Sequence, residues 1–120
     1  MTEQIKETKE ETKEETKEIK KKVSILTETD ENGITRSFYL KGRGLYLHSA
    51  KDDNGVDKPA VVYKDGSVEY WDHGIMSRLD GPAKIYADGT QHWWHKGKWI
   101  EKVTNQEQFK EFLKYKMFNF

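Results

Sequence analysis

The chain contains no cysteine. That excludes disulfides, thiol nucleophiles and thiolate metal sites. It also has no apolar run near the roughly 18 residues that a membrane span requires. The charged N-terminal residues hold no apolar h-region of a secretory signal, so a cytoplasmic protein is expected. Neither charge sign is in excess: 21 Lys and Arg balance 21 Asp and Glu. A dedicated nucleic-acid binder usually carries a basic bias, and this chain does not. Proline occurs only twice, at Pro59 and Pro82.

What is present is unevenly distributed. Residues 1–22 hold seven Lys, seven Glu and no aromatic residue, whereas all fifteen aromatics follow. The remaining stretch, about 98 residues, can hold one modest core, burying roughly 60–66% of its unfolded surface. From Lys9 a Lys-Glu-Glu-Thr unit repeats and decays toward Lys20-Lys21-Lys22. Glu10–Lys13, Glu14–Lys17 and Glu18–Lys21 favour a helix, but the same unit stacks like charges at i,i+4. No apolar d row supports a coiled coil. Residues 1–22 are therefore expected to be a solvated single helix or a disordered tail.

From Val23 the pattern changes to short apolar or aromatic runs split by Asn32-Gly33, Asp65-Gly66 and Asp88-Gly89. Such dipeptides are the strongest short hairpin signal, through a type I′ turn with positive φ at both central residues. They pair Val23–Thr27 with Thr35–Leu40, Ala60–Tyr63 with Val68–Trp71, and Ala83–Tyr86 with Gln91–Trp94. Asn54-Gly55 reads as a polar loop. Further strands are expected over Gly44–His48 and Lys98–Lys102.

Two of these hairpins are copies. Pro59 to Ser67 aligns with Pro82 to Thr90, and Tyr70-Trp71-Asp72-His73-Gly74 with Trp93-Trp94-His95-Lys96-Gly97, at an offset of 23 residues without a gap. Gly33 to Phe38 repeats the Gly66 to Trp71 spacing, which suggests a worn third copy with Gly42 one residue late. Proline limits each first strand to a strand start or an edge. Alternation sends Val68 and Tyr70 to one face, Glu69 and Trp71 to the other; Gln91 and Trp93 likewise oppose His92 and Trp94. Each hairpin is too small to bury its own apolar face, so the units are expected to stabilise one another in a row.

The unit Tyr-x-Asp-Gly-x4-Trp-x2-Gly resembles the MORN repeat. Asp80-Gly81-Pro82-Ala83, closing one unit and opening the next, resembles the variants found in bacteriophages, giant viruses and some bacterial antitoxin-like proteins. In the phage proteins the junction often reads His-Arg-x-Asp-Gly-Pro-Ala. Here it is Ser77-Arg78-Leu79-Asp80-Gly81-Pro82-Ala83, with Ser in place of His, and Asp57-Lys58-Pro59-Ala60 departs further. The resemblance covers residues 57–102 well and 23–56 poorly. It implies a scaffold or contact surface rather than a shared reaction.

At the C-terminus, Thr104 and Glu107 have the spacing of a capping box. Phe109, Phe112, Leu113 and Met117 follow at helical spacing as an amphipathic stripe. This helix is expected to pack over one face or end of the sheet, with Phe118 and Phe120 as candidates for an exposed docking edge.

Signals for chemistry are sparse. His92 and His95 fall on opposite faces of a strand and share a metal poorly. Gly42-Arg43-Gly44 has no third glycine and no following helix, so it is no phosphate loop. Asp52 to Asp57 lacks the Ca²⁺-loop spacing. Glu69 and Asp72 beside Trp71 are better read as surface charges than as an acid/base pair. No catalytic residue, metal site or cofactor is expected.

The expected architecture is mainly β: a tail over 1–22, a row of antiparallel hairpins over 23–103 and a helical segment over 104–120. The expected function is a non-enzymatic protein-binding module whose partner-binding residues are Tyr70, Trp71, Arg78, Trp94 and Trp99, since Trp and Tyr dominate interfaces. The resemblance implies a phage-encoded inhibitor of a host defence protein, acting by occlusion in the bacterial cytoplasm. The alternative is a nucleic-acid or membrane-surface adaptor using the Trp- and Lys-rich segment 92–99.

Overall fold

The computed structural model describes residues 25–118, so the tail expected over 1–22 lies outside the described residues. So do Phe120 and the side chain of Phe118. Among the described residues, eleven short strands precede one helix. The first three are β1 (Ile25–Thr29), β2 (Thr35–Lys41) and β3 (Gly44–Leu47). Two four-strand units follow: β4 (Val61–Val62), β5 (Val68–Glu69), β6 (Trp71–Asp72) and β7 (Ile75–Met76), then β8 (Lys84–Ile85), β9 (Gln91–His92), β10 (Trp94–His95) and β11 (Lys98–Trp99). Each strand of the second unit lies 23 residues after its counterpart, so the sequence repeat is also a repeat of structure. The helix α1 covers Gln106–Phe118.

The strands form one antiparallel sheet in the order β1-β2-β4-β5-β8-β9, with β3 also on β2, and two separate ribbons, β6-β7 and β10-β11. The return strand of each unit is broken once. At Tyr70 and at Trp93 the chain leaves the main sheet and enters its ribbon, and both side chains are buried. The hydrogen bonds across the break repeat: Ser77 N–H donates to Tyr70 O, and Ile100 N–H to Trp93 O. The first copy keeps the register of the repeat, since Thr35 and Arg36 of β2 pair with Val62 and Val61 as Val68 and Glu69 pair with Ile85 and Lys84.

The turns differ from expectation in type. At Asn32-Gly33, Asp65-Gly66 and Asp88-Gly89 only the glycine has positive φ. Gly66 N–H donates to Tyr63 O and Tyr63 N–H to Ser67 O, the pattern of a type I turn followed by a glycine bulge. Asp65 stays at negative φ, and its carboxylate accepts the Ser67 N–H at 2.8 Å. Asn54-Gly55 forms the same turn, closed by Asp52, rather than a polar loop. The type I′ turns lie where the sequence reading placed none. His73-Gly74 (φ 46° and 90°) and Lys96-Gly97 (φ 49° and 84°) close the two ribbons. A two-residue loop fits the right-handed twist of the strands only in this conformation, and glycine is the residue that adopts it without strain.

Packing of the units is also periodic. Gly74 N–H donates to Leu47 O, and Gly97 N–H to Met76 O, so each ribbon turn hangs on the last strand of the preceding unit. Beyond the last ribbon the row is capped by the helix. Phe109, at 0% exposure, packs with Trp93 and Val103, flanked by Ile100, Phe112 and Leu113. The cap is shifted by one residue from the expected box. Asn105 Oδ1 accepts the Gln108 N–H at 2.9 Å, and Gln108 Oε1 accepts the Thr104 N–H at 2.7 Å. Asn is the stronger N-cap, and burial of Val103 fixes where the chain turns into the helix. Met117, expected in the apolar stripe, is instead 64% exposed, because the underlying surface ends at Leu113.

Candidate functional site

The site is built where the junction between the two full units meets the ribbons. Ser77 to Pro82 joins them, and Arg78 folds back so that its guanidinium carbon lies 3.7 Å from the Tyr70 ring centre. Arg78 Nη1 donates to Pro82 O at 3.1 Å, and Nε lies 3.5 Å from Asp57. A Cβ at Gly81 would sit 3.0 Å from the guanidinium, so a larger residue there would push the Arg78 head by a few tenths of an ångström. Asp57 also accepts a hydrogen bond from Lys51 Nζ at 2.7 Å, so one carboxylate faces two cations.

Around this stack runs a groove of about 600 Å³ lined by His48, Tyr70, Trp71, Arg78, Leu79 and His95, among others. A second groove of about 730 Å³ continues from it over Ile100, Phe112, Leu113 and Met117, and both share Leu79, His95 and Lys96. Lys96, Lys98 and Lys116 rim the second groove, and among the described residues no acidic side chain lines it. His95 links the two, its ring edge-on to Phe112 at 5.7 Å.

The five residues expected to bind a partner separate into two groups. Tyr70, Trp71 and Arg78 line the first groove together. Trp94 and Trp99 pair across β10 and β11 and line neither groove. Trp94 is half-buried with its indole N–H unpartnered among the described residues. Trp99 is 44% exposed and lies against His92 at 4.5 Å, and Tyr86 meets the same imidazole edge-on at 5.0 Å. Trp93, beside them in sequence, is core, and its indole N–H donates to Gln106 Oε1 at 2.7 Å.

Glu69 is buried under three donors. Trp71 Nε1 reaches Oε1 at 2.9 Å, while the Tyr63 hydroxyl and Lys84 Nζ reach Oε2 at 2.9 and 2.6 Å. This carboxylate is a structural anchor that orients the Trp71 ring at the groove. Sequence reasoning missed Leu79, His95 and Lys96 as lining residues. The only available signal was the repeated X-Gly pair at His73-Gly74 and Lys96-Gly97, which marks a second turn in each unit. It also missed a histidine pair. His48, Asp72 and His73 come together although 24 residues separate His48 from Asp72.

Burial lowers the pKa of His48 below its ordinary value of 6.5, and the neighbouring His73 adds to this against Asp72 and Asp57. Burial likewise lowers His95, with Lys96 and Lys116 contributing. Both groups then stay neutral in the fold at a pH where the unfolded chain binds protons. Their contribution to stability is complete above about pH 6.5 and is lost as pH falls through the lower folded values. Urea midpoints measured from pH 8 to 5 should be level above pH 7 and fall below 6.5. A His48→Ser, His95→Gln double variant should flatten that step, and an unchanged slope would contradict the assignment.

No protein-family model, curated protein or solved structure matches this chain.

Proposed function

We propose that this protein is a non-enzymatic protein-binding module that seats an acidic, apolar-bearing segment of its partner in the paired grooves. The observation that carries this reading is their continuity. An apolar and aromatic floor runs from Trp71 through Leu79 to Met117, with three lysines along its second half. Exposed apolar surface next to three lysines, with no acidic side chain among the described residues lining the second groove, favours a partner that brings carboxylates and a few large apolar side chains. The resemblance to phage MORN-like repeats adds the finer reading, an inhibitor that occludes a surface of a host protein. Segment 92–99 is a poor base-stacking platform, because Trp93 is core and Trp94 half-buried, leaving Trp99 alone exposed. Among the described residues no helix is long and apolar enough to cross a membrane.

The test is affinity capture from bacterial lysate with and without nuclease, using wild type and a Leu79→Glu, Met117→Glu variant. Both positions are more than half exposed, so the fold should be retained. A single protein partner that survives nuclease is expected from wild type. The variant should weaken it by about 30-fold or more, the range of interface hot spots. Recovery that depends on nucleic acid, or a partner indifferent to the variant, would defeat the reading.

A further inference from the structure

We propose that His48, Asp72 and His73 form a binding site for a divalent transition-metal cation of the zinc class, at the mouth of the first groove. Each residue offers a donor atom, and the three donors lie within 4.8 Å of one another. His73 Nδ1 is 2.7 Å from Asp72 Oδ1, and His48 Nδ1 is 3.8 Å from the same oxygen. Ligands of a tetrahedral zinc ion lie about 3.4 Å apart, as follows from bond lengths near 2.0–2.1 Å. Small rotations of the two exposed side chains, Asp72 and His73, close the difference. Two imidazoles and one carboxylate suit zinc, cobalt or nickel better than the hard cations. Tyr39 packs edge-on to His73 at 4.5 Å and lies 5.5 Å from His48, limiting the rotation of both rings.

The repeat supplies an internal comparison. At the next junction the residues equivalent to Asp72 and His73 are His95 and Lys96, and the residue after the last strand of the preceding unit is Ser77 instead of His48. The backbone bond is the same in both places. His73 N–H donates to His48 Nδ1 at 3.0 Å, and Lys96 N–H to Ser77 Oγ at 2.9 Å. The architecture thus needs only an acceptor at one position and tolerates lysine at the other. The repeated backbone bond requires neither imidazole, yet both occur where an aspartate stands at the position that His95 takes in the next unit. Coordination through His48 Nδ1 would release the His73 N–H, making that amide a reporter of binding.

The experiment is a Zn²⁺ titration of the full-length, tag-free protein by calorimetry, with imidazole and amide signals followed by NMR. One saturable site per chain is expected, shifting the imidazoles of His48 and His73 and the His73 amide while His92 stays in place. His48→Ser retains the backbone acceptor, and His73→Asn suits the positive φ. Each should weaken binding by on the order of 100-fold or more, at least what loss of an outer-sphere partner costs. His92→Gln should bind as wild type. Absence of saturable binding, shifts centred on His92 or His95, or wild-type affinity in both site variants would overturn the proposal.

Discussion

Replacing Glu69 by Gln is expected to destabilise the protein by about 2–4 kcal/mol. Removing one partner of a buried ion pair costs about 3–5 kcal/mol, since the other charge is left uncompensated. The lower range applies because Lys84 keeps 18% of its side chain exposed. Lys84 would lose a 2.6 Å bond while still held between the rings of Tyr63 and Tyr86, at 4.9 and 5.1 Å. Burial opposes the charge on Glu69, but hydrogen bonds from Lys84, Trp71 and Tyr63 outweigh it and hold the carboxyl below its ordinary 4.5. This contribution is complete above that value and is lost as pH falls through the lower folded one. Equilibrium urea unfolding at pH 7 measures the effect. A Glu69→Gln, Lys84→Met double variant should be no less stable than Glu69→Gln alone, because the orphaned charge is gone. A single-variant loss under about 1 kcal/mol would show that water reaches the pair.

Phe109→Ala is expected to cost about 3–5 kcal/mol, the range for truncating a fully buried aromatic. Phe109 has no exposed surface, stacks on Phe112 at 6.0 Å and touches both Trp93 and Val103. Total stabilities of small domains run about 5–15 kcal/mol, so this one change can release the helix from the end of the row. Trp93 emission should shift to the red and helical ellipticity should fall together. Met117→Ala, about two turns further along the same helix but largely exposed, should stay within about 0.5 kcal/mol of wild type. Equal losses in the two variants would mean that the helix does not dock through Phe109.

The strands flanking Asp65-Gly66 and Asp88-Gly89 were legible because a hairpin is specified within a dozen consecutive residues. The 23-residue offset was legible for the same reason, and the paired elements keep it throughout. The turn type was not. Asp65 and Asp88 satisfy the backbone N–H of Ser67 and Thr90 with their own carboxylates, which keeps them out of positive φ and lengthens the loop. Trp93 and Trp94 were equally good core candidates by alternation. The choice fell to Trp93 because the helix covers that face, a contact set by Val103 and Phe109 farther along the chain. Tyr70, Trp71 and Arg78 do line one groove, as residues of one unit and its junction.

The sequence by itself determined the hairpin repeat, the mainly β architecture and the helix at its end, since each depends on local backbone preference and short-range pattern. Only the tertiary structure decided which aromatics are core, that two grooves join at Leu79, and that His48 meets Asp72 and His73. Those juxtapositions depend on how far each ribbon leans on the strand before it. The backbone bonds that set this, Gly74 to Leu47 and Gly97 to Met76, join residues more than twenty positions apart. No local pattern encodes that distance.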